Sequence, residues 1–130
     1  MGTAENKEVV RMMREAKGLD AMLATMSDNV RWTIIGTTKY SGTMNGKKEI
    51  IDKLLRPITS ELESMGSSHL DNVIAEGDYV VVQQHASGRK TKTGNPYNNT
   101  YCLVYKVIEG KIAEITEYCD TELITSAFGR

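Results

Sequence analysis

Between Glu5 and Met26 the apolar residues fall at Val9, Val10, Met13, Ala16, Leu19, Met22, Leu23 and Met26. That is helical spacing, interrupted at Gly18, and it predicts two helices, over about 4–16 and 19–26. Asp28-Asn29 reads as a turn. Val30 to Ile35, rich in β-branched and aromatic residues, predicts a strand. Gly36 to Gly46 is polar, punctuated by glycine, and reads as a loop. From Lys47 to Ser64 the residues Ile50, Ile51, Leu54, Leu55, Ile58 and Leu62 share one helical face, and Pro57 is expected to kink or break that helix.

The pattern then changes to period two. A strand is predicted around His69–Ala75, then a Gly77-Asp78 turn, then a strand over Tyr79–Ser87. Gly88 to Pro96 is basic and turn-rich, and reads as a hairpin tip with Arg89, Lys90 and Lys92 in solvent. Two long alternating runs follow, over about 97–108 and 111–119, joined at Glu109-Gly110, and a short helix over about 120–127 closes the chain. The order predicts one domain over residues 1–130, of α+β class. The expected architecture is a cone-shaped roll: a curved antiparallel sheet wrapped around N-terminal helices. Such a roll leaves a cavity between its layers, a common kind of small-molecule site.

Composition narrows the partners. The chain has 130 residues, 40% hydrophobic and 25% charged, with a formal net charge of −1. This is an ordinary globular mix. It gives no basic face for nucleic acid, no reason to expect an anionic membrane, and no apolar run long enough to span a bilayer. The first residues lack an apolar signal core, so a cytoplasmic location is expected. Cys102 and Cys119 fit it as free thiols. No cluster has metal-ligand spacing, no glycine-rich segment has phosphate-loop spacing, and no histidine joins a serine or cysteine in a nucleophile motif. Neither a cofactor nor a metal is expected.

Some of these residues also carry a resemblance. They are Val30-Arg31-Trp32-Thr33 with Gly36 and Gly42; Gly46 opening the long helix; Gly77-Asp78 before a valine-rich strand; Gly94 and Pro96-Tyr97-Asn98-Asn99 with Tyr101; Gly110-Lys111-Ile112; and Glu117-Tyr118-Cys119-Asp120-Thr121. Over essentially its whole length the chain resembles the nuclear transport factor 2-like superfamily, with a closer match to SnoaL-like and ketosteroid isomerase-related proteins. The resemblance implies the cone-shaped roll and is weak on reaction, because this fold serves many chemistries and also pure binding. In SnoaL-like polyketide cyclases an aspartate on the last strand, seven residues after the turn glycine, does acid/base work. Counting from Gly110, Glu117 stands there. It also matches the catalytic aspartate of limonene epoxide hydrolases. Their arginine and second aspartate correspond to Gln84 and Ala86 here, so the water-activating network is incomplete. True ketosteroid isomerases place carboxylates near Thr33 and Leu103, and both are absent.

Side chains alternate along a strand, so Ala113, Ile115, Glu117 and Cys119 are expected on one face. The resemblance turns that face to the cavity. A carboxyl group among apolar neighbours loses solvation, its pKa rises, and it can take and give a proton near neutrality. The competing reading puts Glu117 at a strand end, in water, beside a lysine. Asp120 is favoured as the cap of the last helix over a catalytic role. Tyr97, Asn99, Tyr101, Leu103 and Tyr105 share a face that lines the pocket in the family. Tyr101 could hydrogen-bond a substrate oxygen and Asn99 could orient it; alternatively the aromatic residues simply pack. Gln84 is a candidate neutral donor. Trp32 is either pocket wall or core, with Thr33 the polar candidate beside it. By parity His85 goes to the surface or a subunit interface, and His69 to solvent.

The expected function is a small-molecule pocket, with cofactor-free isomerase or cyclase chemistry on an apolar ring compound by proton transfer at Glu117. The substrate contacts would be Tyr101, Asn99, Gln84, Thr33, Trp32 and Leu103. The alternative is a non-catalytic ligand-binding or dimerisation module of the same fold. A homodimer is expected through the open outer face of the sheet, with Val81, Tyr118 and Trp32 as candidates for it.

Overall fold

A computed structural model describes residues 2–130. Helices α1 (Thr3–Glu15) and α2 (Leu19–Leu23) lead into strand β1 (Met26–Ile34) and strand β2 (Gly42–Asn45). A helical stretch follows in three segments: α3 (Gly46–Ile50), a π-helical turn (Ile51–Leu55) and α4 (Arg56–Glu61). Then come β3 (Leu62–Ser64), β4 (Ser67–Glu76), β5 (Tyr79–Ser87), β6 (Lys90–Thr91), β7 (Thr100–Ile108), β8 (Lys111–Cys119) and α5 (Thr121–Phe128). Six strands form one sheet in the order β2-β1-β8-β7-β5-β4, and β3 and β6 form a separate ribbon. The fold is α+β, as expected.

The sheet is mixed. Every neighbouring pair is antiparallel except β1 and β8, which run parallel. The first and last strands therefore lie side by side at the centre. A meander of the last four strands alone would not bring them together; the helical stretch after β2 carries the chain across the sheet.

Local departures from the sequence reading have physical causes. The second helix stops at Leu23, and Met26 to Asn29 continue into β1 through a register shift between Met26 and Arg31. Asp28-Asn29 fall inside that irregular stretch, between the paired residues Met26 and Arg31. Met44 packs into the core, so part of the expected loop becomes β2. Pro57 does not break the helix. The turn before it is π-helical, with the Arg56 amide reaching back to the Ile51 carbonyl. The wider turn relieves the crowding that a proline imposes on the preceding turn. The Glu109-Gly110 turn has positive φ at both residues, 48° and 79°, which joins β7 to β8 tightly.

The core lies between the helices and the concave face of the sheet. Val10, Ile50, Val80, Val82, Tyr105 and Ile124 are almost fully buried there. One feature of β8 overturns a face assignment. A bulge opposite Lys106 and Val107 pairs Val107 with Ile112 and Lys106 with Glu114. Alternation slips by one at Ala113, so Ile112, Ile115 and Glu117 face inward while Ala113 drops out of that set.

The basic segment after β5 is not a solvent hairpin tip. Lys90 and Thr91 pair with β3, the Lys92 amide donates to the Glu61 carbonyl, and the Tyr97 amide donates to the Arg89 carbonyl. Lys90 and Lys92 stay exposed, but Arg89 is partly buried. Gly66 permits this close approach: a Cβ there would sit 2.1 Å from the Ser87 carbonyl oxygen. No helix among the described residues is long and apolar enough to cross a membrane.

Candidate functional site

A cavity of about 610 Å³ lies between the helices and the sheet. Met13 from α1, Leu54, Leu55 and Ile58 from the long helical stretch, and Ile34 and Leu103 from the sheet supply apolar walls. Leu19, Met65 and Ser68 also line it and are exposed, which marks its opening.

Glu117 lies on the inner wall. Its cross-strand partners are Leu103 on β7 and Ile34 on β1, so it sits in mid-sheet. It is 8% exposed. The Trp32 indole Nε1–H donates to its Oε1 at 3.2 Å. Burial pushes the carboxyl up to about 7, against the opposing pull of the indole N–H, the Arg89 charge and the Cys119 thiol. A group poised there can be acid or base near neutral pH. Among the described residues no lysine pairs with it, so the solvated strand-end alternative does not describe its seat.

Of the proposed substrate contacts, Tyr101, Gln84, Trp32 and Leu103 line the cavity together with Glu117. Two do not. Thr33 has the opposite parity to Trp32, and its hydroxyl bonds that of Thr43 at 2.8 Å. Asn99 is fully buried but serves the backbone. Its Oδ1 accepts from the Thr100 and Asp120 amides, and its Nδ2 donates to the Asp120 carbonyl and the Tyr97 hydroxyl. It precedes β7, where the strict alternation that would aim it at the cavity has not begun. Trp32 is a cavity wall and so does not belong to the outer face, whereas Tyr118 is 45% exposed on that face.

Two arginines complete the site and were not expected from the sequence. Arg14 Nε donates to Gln84 Oε1 at 2.9 Å. Arg89 Nη1 donates to the Tyr101 hydroxyl oxygen at 3.3 Å, and its Nε donates to the Met65 carbonyl at 2.9 Å. Arg14 follows Val10 by four residues on the apolar stripe of α1, a signal that could have been read. Arg89 leaves no such trace, since the β3–β6 ribbon that turns it inward is a long-range pairing.

Burial raises the Tyr101 phenol far above its usual range, with the neighbouring Tyr97 adding to the effect. It therefore stays a neutral donor. Its oxygen accepts from Arg89, and its own proton is shared with the neighbouring Tyr97 hydroxyl, from which a ligand oxygen would have to draw it. Burial, then the Glu117 carboxylate, push the Cys119 thiol up to about 12, so it is no thiolate nucleophile at neutral pH. Asp120 caps α5, its Oδ1 accepting from the Leu123 amide at 3.2 Å. His85 lies partly exposed and bonds Asp71, and its ring stacks on His69 at 4.9 Å; neither lines the cavity. Among the described residues no group of three or more His, Cys, Asp or Glu side chains is arranged to hold a metal ion.

The model of the SnoaL-like domain matches residues 8–115. The chain belongs to the SnoaL-like domain family. Solved structures agree on the fold of this SnoaL-like protein. A nuclear transport factor 2-like (NTF2-like) protein from Burkholderia thailandensis E264 aligns over 98% of both chains with a TM-score of 0.84 at 24% identity. An NTF2-like protein of unknown function from Burkholderia pseudomallei K96243 aligns over 100% of both, with a TM-score of 0.83 at 22% identity. TerC, co-crystallised with polyporic acid, aligns over 95% of this chain and 97% of its own, with a TM-score of 0.73 at 19% identity. No curated protein matches the SnoaL-like chain. At these identities the likeness to solved structures is one of fold.

Proposed function

We propose that this protein binds a small ring compound in its cavity and catalyses a cofactor-free isomerisation or cyclisation, with Glu117 moving the proton. The observation that carries this reading is the seat of Glu117: buried on a cavity wall, held by the Trp32 indole and poised near pH 7. As carboxylate it takes a proton from a carbon beside a carbonyl. The Tyr101 hydroxyl, polarised by Arg89, donates to that carbonyl oxygen as it gains charge. The Gln84 amide NH₂, whose oxygen already accepts from Arg14, is a second neutral donor. Glu117 then returns its proton elsewhere on the product. Polyporic acid in TerC, a protein of the same fold, supports a small organic occupant.

The test is exchange of carbon-bound protons in D₂O. Ring ketones that raise the thermal midpoint are incubated with the protein and followed by proton NMR. Exchange beside the carbonyl in wild type, lost in Glu117→Gln while the thermal shift remains, supports catalysis. Equal exchange in that variant overturns it.

A binding module without catalysis remains the second reading, favoured by the missing carboxylates near Thr33 and Leu103. Thermal shifts with no exchange in either protein would establish it. The reading also includes a homodimer through the outer sheet face and a cytoplasmic location.

A further inference from the structure

The cavity lining is charged unevenly. Among the described residues its ionisable groups besides tyrosines are Arg14, Arg89 and Glu117, whereas the whole chain carries a net charge of −1. Both arginines are partly buried. Among the described residues neither forms a salt bridge; every ion pair of the chain lies elsewhere. Their partners are all neutral: an amide oxygen, a peptide carbonyl and a phenol.

A guanidinium offers five N–H donors. Arg14 spends one on Gln84, and Arg89 spends two, on Met65 and Tyr101. The remaining donors of two partly desolvated cations border a cavity that is otherwise largely apolar. Glu117 is the one carboxyl in that lining and feels the Arg89 charge, but two cations still face a single acid, and a bound anion offsets the imbalance. The two arginines also flank one rung of the sheet. Gln84 and Tyr101 are cross-strand partners, and each carries one of the guanidinium contacts. The cations therefore converge on the stretch of wall that holds the two neutral donors.

We propose that the natural ligand is an amphipathic anion, a ring compound whose carboxylate or similarly acidic oxygen is held by Arg14 and Arg89 while its ring fills the apolar walls. The proposal rests on the small-molecule reading of the cavity and adds the charge of the occupant. A charged anchor at the Gln84–Tyr101 rung fixes which part of the ring meets Glu117. It also separates this ligand from neutral ring compounds of the same size, because an uncharged occupant leaves two cations against the single carboxyl of Glu117.

The experiment is calorimetric titration with a matched pair, anthraquinone-2-carboxylate and anthraquinone-2-carboxamide, which share shape and differ in charge. Wild type is expected to bind the carboxylate about tenfold or more tightly than the amide, a preference that shrinks as salt is raised. Arg89→Met and Arg14→Met should each erase most of that preference, the carboxylate losing far more affinity than the amide, and Arg89→Lys should keep part of it. Retained amide binding shows that the variants are folded. Equal affinity for the two compounds in wild type, or a preference that survives both methionine variants, overturns the anionic ligand and leaves the cavity reading standing. Failure of folded wild type to bind either compound counts against the cavity reading and the anion together.

Discussion

Trp32 on β1 and Glu117 on β8 are held together by a single buried hydrogen bond, 85 residues apart in sequence. The parallel pairing of their strands makes this possible. The partner of Glu117 on β1 is Ile34, two residues beyond Trp32, so the indole lies on the same inward face and reaches along the strand to the carboxyl group. The bond stabilises the ionised form, and burial opposes it more strongly. The balance leaves the carboxyl near 7 instead of its ordinary 4.5.

That balance makes stability depend on pH. The folded state holds the Glu117 proton up to about pH 7, whereas the unfolded chain releases it near 4.5. Between these values the folded state binds more protons, so stability falls as pH rises. Ionised Glu117 costs up to about 3 kcal/mol. Glu117→Gln keeps an acceptor for Trp32 and removes the charge. Urea unfolding is expected to show equal stabilities of the two proteins below pH 4.5 and a more stable variant at pH 8. Parallel pH profiles would contradict the buried carboxyl.

Trp32 is the only tryptophan of the chain. Its indole donates directly to the titrating group, so its fluorescence should report the proton. Emission is expected to change with a midpoint close to pH 7 and to lose that transition in Glu117→Gln. A midpoint unchanged in the variant would assign the signal to another group.

Glu117 was legible through the resemblance, which places an acid seven residues after the turn glycine, and the strand around it alternates cleanly once past the bulge. Its neighbours were less so. Parity grouped Tyr101 and Leu103 on one face and gave Gln84 the matching one, the resemblance turned that face to the cavity, and all three line it because they lie within unbroken strands. It failed for Ala113, where β8 bulges, and for Asn99, which precedes the strand. Arg89 was lost for a different reason: a basic, turn-rich segment looks solvated unless its pairing with β3 is known. Arg14 carries a local signal, a charge four residues after Val10 on the apolar stripe of α1, but its partner Gln84 lies 70 residues away in sequence.

Asn99 should matter for folding and little for ligand. Its side chain satisfies both the amide and the carbonyl of Asp120, the residue that caps α5. Asn99→Ala leaves those part-buried backbone groups without their partner, empties a fully buried side-chain site and is expected to cost about 1–3 kcal/mol. Asp120→Ala, which removes only the exposed cap, should cost about 1 kcal/mol. Denaturant midpoints check both values. Ligand affinity of the folded Asn99→Ala protein should stay within about twofold of wild type, because the side chain does not line the cavity. A large loss of affinity at unchanged stability would return Asn99 to the site.

The outer face of the sheet carries Tyr118, Ile74 and Tyr79, each 45% exposed or more, with the half-buried Val81 paired to Ile74. Exposed apolar residues grouped on a sheet face are costly in water and favour association with a second surface. The homodimer reading assigns this face to a second copy, which would leave both cavities, on the opposite face, accessible. Tyr118→Glu and Ile74→Glu introduce charge without touching the cavity lining. Sedimentation equilibrium is expected to give a dimer for wild type and a monomer for the double variant, with ligand-induced thermal shifts preserved in both. A wild type that sediments as a monomer at all concentrations would remove the dimer, and the cavity chemistry would stand without it.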